Sequence, residues 1–233
     1  MYLNSWTIYP IYIELQTRKT LRKNIQALQD IVSRKGSSKV LTFSIPHVLK
    51  ALQLLTKERF VSRATFGKEI HLGEGAVKTL ILHLKEAKLA DSTKSGTFLT
   101  EKGHKLTNQI QSAIPNECKI KKCSIIQGKY NHAILLKNYS MTIKTGLEQR
   151  DYAILYGSSG CTTMIYKNKK LVFPGDEKEC FIKDMKTRNY LFENLCPDEG
   201  DVIIISSSDD PFVAEISAKN SAQKHSGFTR HSI

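Results

Sequence analysis

The residues of this chain best suited to meeting an anion lie in "KEIHLGEGAVKTLILHLKEAKL", residues 68–89, where Gly73 and Gly75 flank Glu74 at the entry to a long predicted helix. Glycines before a helix serve two chemistries, the phosphate cradle of a nucleotide enzyme and close backbone approach to a nucleic-acid phosphate. The dinucleotide fingerprint fails because the segment follows a helix and lacks a third glycine at the right spacing. The P-loop fails because no Gly-Lys-Ser/Thr follows. What remains is the helix itself. Val77, Leu80, Ile81 and Leu84 recur at i, i+3, i+4, i+7 and form an inward face, which turns Gly75, Lys78, Thr79, Leu82 and, at the edge, Lys85 outward. Lys78 can bond guanine or phosphate, Thr79 a base edge or a thymine methyl, and Gly75 keeps the helix start slim for backbone contact. Leu82 suits a DNA sugar or methyl group, or a protein partner. Glu74 complements the helix dipole. Lys94 and Ser95, with Thr93 and Thr97 beside them, occupy a predicted hairpin turn suited to a phosphate or the minor groove. Any one of these lysines alone is a solvated charge; the pattern carries the inference.

A second polar group lies in the other half of the chain. "GSSGCTT", residues 157–163, is placed between two predicted strands, where it forms either an anion-holding loop or a polar β-turn. If the sheet is partly parallel, the loops after "AILYG" and "VIIIS" converge at the carboxyl ends of their strands. They then bring Ser158, Ser159 and Thr162 to Ser207, Ser208 and Asp209 as a ligand pocket. Cys161 as a nucleophile needs a histidine base, and His132 is the one in the body of this half. Nothing in the sequence joins them, so no catalytic residue is assigned and the chain is not expected to be an enzyme. The five cysteines form no C-x-x-C pair, and Cys118-x4-Cys123 near His132 is a poor zinc pattern, so neither a metal nor a cofactor is expected.

Charge is distributed unevenly. The chain of 233 residues carries a formal +13; residues 1–114 hold 18 Lys/Arg against 8 Asp/Glu, and residues 115–233 hold 17 against 14. The first half is therefore the one built to meet a polyanion. No apolar run is long enough to span a membrane, and the apolar opening has no basic flank and contains Pro10. A cytoplasmic protein is expected.

The positioning elements follow from periodicity. Leu21, Ile25, Leu28 and Val32 mark one helical stripe, with Arg18, Lys19, Arg22 and Lys23 near its beginning and Gly36-Ser37-Ser38 as its break. Ser44 caps a helix with Pro46 in its first turn and Val48, Leu49, Leu52 and Leu55 inward. Ser62 caps a second, with Ala64, Phe66 and Ile70 apolar. Gly67 sits where this helix must cross the next one, and His71 occupies a tight turn that demands positive φ. A basic hairpin, residues 89–99, and a helix capped by Thr100 complete the order helix, helix, helix, hairpin, helix. Beyond Pro115, "CKIKKCSIIQG", "HAILLKN", "DYAILYG", "TTMIYKN" and "DVIIIS" read as strands, and "SMTIKTGLEQR", "IKDMKTRNYLFENL" and "DPFVAEISAKNSAQK" as helices, the last capped by Asp209 or Asp210.

Residues 41–110, with "VSRATFGKEIHLGEGAVKTLILHLKEAKLADS" and "GTFLTEKGHKL", resemble winged-helix transcription regulators of the archaeal and bacterial type. In those, "s-x-G-T-V-(R/K)-x-x-L-x-x-L-x-x-x-G-L" and "L-T-x-x-G" recur. From there onward the chain, including "RDYAILYGSSGCTT" and "EGDVIIIS", is similar to an archaeal winged-helix family whose C-terminal half is known only as a domain of unknown function. The resemblance implies an α+β protein, an N-terminal winged helix-turn-helix followed by a mixed α/β domain. Its parts are a basic arm (1–40), the DNA-binding domain (41–114), an effector-sensing or dimerisation domain (115–224) and a flexible tail (225–233). It implies double-stranded DNA, a small-molecule effector and a second copy of the chain as partners. Two alternatives stand beside it: a metabolic enzyme or small-molecule-binding protein with an accessory winged helix, and a protein-binding winged helix of the transcription machinery. Two departures from the pattern are Lys88 where the signature has glycine, and His71 in the turn.

Overall fold

The computed structural model describes residues 5–33, 41–123, 125–126, 128–176 and 178–227, with side chains described from 19 to 223. The protein is mixed α+β, with eight α-helices and two sheets among the described residues. It divides into two compact units, one of Lys23–Ile110 and one of Met1–Arg22 with Gln111–Ile233, the boundaries falling inside helices α1 (Ser5–Val32) and α5 (Glu101–Ala113). Helix α1 begins well ahead of the expected stripe, because Pro10 removes one backbone hydrogen bond without ending the helix. Its buried apolar residues, among the side chains described, are Leu21, Ile25, Leu28 and Ile31, with Asn24 also buried and Val32 only half-buried. The expected break at Gly36-Ser37-Ser38 lies outside the described residues, as does the tail beyond Gly227.

The unit of Lys23–Ile110 contains α2 (Ile45–Lys57), α3 (Arg63–Ile70), α4 (Glu74–Glu86) and the hairpin of β1 (Ala90–Thr93) and β2 (Gly96–Leu99). In the first turn of α2, His47 Nδ1 folds back to within 2.8 Å of the Ser44 hydroxyl and 3.3 Å of the Ser44 backbone nitrogen. Burial and the nearby Lys50 charge lower the His47 pKa to about 4, which keeps the ring neutral and able to accept. At α3 the Ser62 hydroxyl accepts the Thr65 N–H at 3.0 Å, and the helix ends at His71 with φ 53° and ψ 42°. A Cβ on Gly67 would sit 3.1 Å from the Leu72 carbonyl oxygen, so glycine is what lets the α3 backbone come this close to the turn. Of the apolar residues of α3, Phe66 and Ile70 fill the buried side of so short a helix and Ala64 is exposed.

Helix α4 closes with paired bonds, Leu89 N–H to the Leu84 carbonyl at 2.9 Å and Lys88 N–H to that of Lys85 at 2.8 Å. Together they form a Schellman cap that puts Lys88 at φ 58°. Thr100 then ties the next helix to this corner, its hydroxyl donating to the Lys88 carbonyl at 2.7 Å and accepting the Gly103 N–H at 3.1 Å. A Cβ on Gly103 would lie 2.0 Å from the Leu89 carbonyl oxygen. The glycine of "LTEKG" is therefore required by the contact of α5 with the end of α4.

The other unit holds one sheet in the order β3 (Glu117–Ile120), β4 (Tyr130–Leu136), β7 (Val202–Ser208), β5 (Gly160–Lys167), β6 (Lys170–Val172). Every one of these pairings is antiparallel, so the condition under which the loops after "AILYG" and "VIIIS" would converge at strand carboxyl ends is not met. One face packs Ala133, Leu135, Met164, Ile203 and Ile205 with Leu191 and Leu195 of α7 (Met185–Leu195). Helices α6 (Leu147–Ile154) and α8 (Pro211–Gly227) contact the sheet and each other. "DYAILYG" is not a strand: its first residues finish α6 and the rest turn into β5. The run has one β-branched residue and follows the helix formers Leu147, Glu148, Gln149 and Arg150, so helix propensity outweighs the apolar run. Only the end of "SMTIKTGLEQR" joins that helix, with a single 3-10 turn at Ser140–Thr142. Asp210, not Asp209, caps α8, accepting the N–H groups of Phe212 at 2.7 Å and Val213 at 2.9 Å.

Two substitutions test the corner where α4, β1 and α5 meet. Gly103→Ala is expected to destabilise the protein by about 3 kcal/mol or more, because one backbone must move off another. Lys88→Gly is expected to stabilise it by roughly 0.5–1 kcal/mol by relieving the left-handed residue. Urea unfolding measures both, and a Gly103→Ala loss below about 1 kcal/mol would refute the close approach.

Candidate nucleic-acid interface

Four side chains fix the rotation of α4: Val77, Leu80 and Leu84 are fully buried and Ile81 nearly so. Gly75, Lys78, Leu82 and Lys85 consequently lie exposed along the opposite side, with Thr79 half-exposed between them. Nothing approaches within 4 Å of a Cβ placed on Gly75, so the first turn is open to a large partner. Thr79 donates its hydroxyl to the Gly75 carbonyl at 3.0 Å, leaving its methyl group and hydroxyl lone pairs available. Leu82 is 54 % exposed, a large apolar side chain with no covering neighbour in its own unit.

The lysines on this side are held in place by carboxylates. Lys78 pairs with Glu74 at 2.8 Å, and Lys85 pairs with Asp91 of β1 at 2.9 Å, both in solvent. Hydrogen bonding to those lysines keeps the Glu74 and Asp91 carboxyls below their usual pKa. Pairs this exposed are screened and readily exchanged for another anion. Lys85 thus also braces α4 against the hairpin. Lys94 and Ser95 form the hairpin's exposed two-residue turn, where Ser95 N–H donates to the Thr93 hydroxyl at 3.2 Å. Gly96 pairs with Thr93 as the first residue of β2.

The second predicted group comes together, though not as an open pocket. Ser158 and Ser159 lie between α6 and β5, not between two strands. The Ser207 carbonyl accepts from the Ser158 hydroxyl at 2.9 Å, the Ser159 N–H at 2.8 Å and the Ser159 hydroxyl at 3.1 Å. Ser206, which sequence reasoning passed over, donates to Ser158 Oγ at 2.9 Å. Ser207 donates to Asn131 Oδ1 at 2.7 Å. These serines fasten the start of β5 to the end of β7. Thr162 pairs with Ile205 and so faces the α7 side of the sheet, opposite to Ser206. Ser208 is buried and Asp209 exposed. Cys161 and His132 share a face but stand two strands apart, with Ser206 between them. Burial pushes the Cys161 thiol up to about 12, and His132 Nε2 is engaged by Glu117 at 3.2 Å. The pairing a nucleophilic thiol requires is not formed.

Sequence reasoning missed a buried ion cluster. Lys219, in the middle of α8, is 0 % exposed; it pairs with Glu117 of β3 and lies 3.4 Å from Glu215. Burial works to raise the Glu117 carboxyl, but the Lys219 ammonium and the His132 ring outweigh it and hold the group well below the carboxylate range. Elsewhere on α8, Asn220 donates to the Tyr152 carbonyl at 2.7 Å and Ser221 to that of Gln149 at 2.8 Å, both on α6. The available signal was "AEISAKNSAQ": small and polar residues on every side, giving no amphipathic stripe. Close by, at the start of α8, a cavity of about 200 Å³ is lined in part by Lys119, Lys121, Lys129 and His132. No group of His, Cys, Asp and Glu among the described residues is arranged to hold a metal, and none of their helices is long and apolar enough to cross a membrane.

Residues 125–225, within the unit that carries the five-stranded sheet, match the family described as Domain of unknown function (DUF4443). The chain is also similar to a solved archaeal structure, the hypothetical protein PH0730 from Pyrococcus horikoshii OT3. The two share 27 % sequence identity and a TM-score of 0.62, covering 77 % of this chain and 91 % of that one. No curated protein matches the sequence.

The ion cluster sets an acid limit to stability. The Glu117 carboxyl titrates lower in the folded chain than its ordinary value of 4.5. Its contribution is therefore complete above that pH and is lost as pH falls through the folded-state value. Glu117→Gln is expected to cost at most about 3–5 kcal/mol near neutral pH by leaving the buried Lys219 with Glu215 alone, and to flatten the acid fall in stability. Glu117→Leu/Lys219→Met should recover most of that loss. Chemical denaturation at neutral and acid pH reads all three; equal stability of single and double variants would contradict the pairing.

Proposed function

We propose that the chain is a DNA-binding transcriptional regulator. In this reading residues 41–114 form a winged helix-turn-helix, α4 enters the major groove, and the β1–β2 turn reaches a phosphate or the minor groove. Residues 115–224 sense a ligand or join two copies into a homodimer. The observation that carries the reading is the outward stripe of α4: an open Gly75, then Lys78, Thr79 and Leu82, on a helix whose other side is locked into a core. The excess of basic residues in the first half of the chain supports it.

On DNA, Lys78 exchanges Glu74 for a guanine edge or a phosphate, Thr79 reaches a base or a thymine methyl, and Lys94 with Ser95 holds the backbone. Glu74 then has two roles. It complements the positive end of the α4 dipole, and it competes with phosphate for Lys78. A homodimer would read a pseudo-palindrome with half-sites about 10 bp apart or a multiple of that. The exposure of Leu82 also favours a second reading, in which the same stripe docks a protein of the transcription machinery.

Selection from random duplexes is expected to enrich one motif, and Lys78→Ala/Thr79→Ala to abolish the enrichment. Lys94→Ala should weaken binding to all sequences and lower the salt slope by about one. Glu74→Gln should raise affinity. Failure to enrich any motif, or full enrichment by the Lys78/Thr79 variant, would sink the DNA reading; binding without salt dependence would favour the protein partner.

A further inference from the structure

Helix periodicity places a second basic surface on the flank of α4, away from its outward stripe. On α1, Lys23, Ala27 and Asp30 share one side; on α5, Lys102, Lys105, Leu106 and Gln109 share another. His83 and Ala87 of α4 lie between them. Together with Asn24, Ile31, Ser33 and Leu89 these residues enclose a cavity of about 540 Å³, all of it within the unit of Lys23–Ile110. That volume falls in the range of small-molecule sites.

The lining is divided by chemistry. Ile31, Leu89 and Leu106 are buried and form an apolar floor with Ala27 and Ala87. The rim carries the exposed Lys23, Lys102 and Lys105 against a single carboxylate, Asp30. Lys102 Nζ donates to the Ala87 carbonyl at 2.8 Å, which holds its ammonium at the mouth. Asn24, 4 % exposed, adds an amide Nδ2 with no hydrogen-bond partner among the described residues. His83 is held in place by its Nδ1, which bonds the Ile31 carbonyl at 2.6 Å.

We propose that this cavity binds an organic anion with an apolar body, its acidic group on Lys102 and Lys105 and its body on the Ile31, Leu89 and Leu106 floor. A nucleic-acid backbone fits poorly, because it is anionic along its length and offers nothing to an apolar floor. A neutral apolar ligand fits poorly as well, because it leaves the lysines without a counter-charge. The proposal stands on the geometry of one unit and holds whether or not α4 reads DNA.

The test is fluorescence titration of the full chain with two probes of nearly the same body, 8-anilinonaphthalene-1-sulfonate and the uncharged N-phenyl-1-naphthylamine. The sulfonate is expected to saturate one site per chain. Lys102→Gln/Lys105→Gln should weaken it at least about tenfold while changing the neutral probe by less than about twofold. Ala27→Phe should exclude both, with thermal melting as the check that the chain still folds; if it does not fold, the lysine pair decides alone. Three results would overturn the proposal: no saturable sulfonate binding, sulfonate affinity unchanged by the lysine pair, or both probes weakened alike by it.

Discussion

The burial of Val77, Leu80, Ile81 and Leu84 is the constraint on which the organisation of the Lys23–Ile110 unit depends. Burying each such side chain contributes about 1.5–3 kcal/mol, far more than solvated lysines contribute to orienting a helix. The core therefore fixes how α4 is turned, and the charges take what is left. Gly67 and His71 bring α3 to the required approach, and the Schellman cap at Lys88 with Gly103 fixes where α4 stops. The outward stripe is the remainder once these packing requirements are met.

The unit with the five-stranded sheet solves a different problem. Its α7 side is an apolar core, whereas α8 is buried on nearly every side while carrying Lys219, Asn220, Ser221 and Gln223. A helix with that composition is stable in an interior only if its polar atoms find partners. Glu117 supplies a counter-charge to Lys219, and α6 carbonyls accept from Asn220 and Ser221. Such an arrangement is costly to break: Lys219 has two carboxylates within reach, Glu117 and Glu215, while the Gln223 amide finds no hydrogen-bond partner among the described residues.

Much of the first unit was legible because its elements are local. Ser44 and Ser62 announce helix starts, the i, i+3, i+4, i+7 face announces α4, and "LTEKG" announces the corner that Thr100 and Gly103 build. The second unit was less so. "DYAILYG" is an apolar run of a length that suits either a strand or a helix end, and periodicity does not separate them. Strand direction is not written in any one strand, so whether the sheet is parallel has no local signal.

What the sequence by itself determined is which residues cannot face water and which backbone positions need glycine or a left-handed residue. Those depend on neighbours a few positions away, and they suffice to turn Gly75, Lys78, Thr79 and Leu82 outward. Only the tertiary structure decided that Lys85 braces β1 through Asp91, that the serines of residues 158–159 and 206–207 tie two strands together, and that Lys219 meets Glu117. The physical reason is range. Burial and backbone preference are set within a few turns of chain, whereas an ion pair or a hydrogen bond between distant strands exists only once the whole sheet has registered.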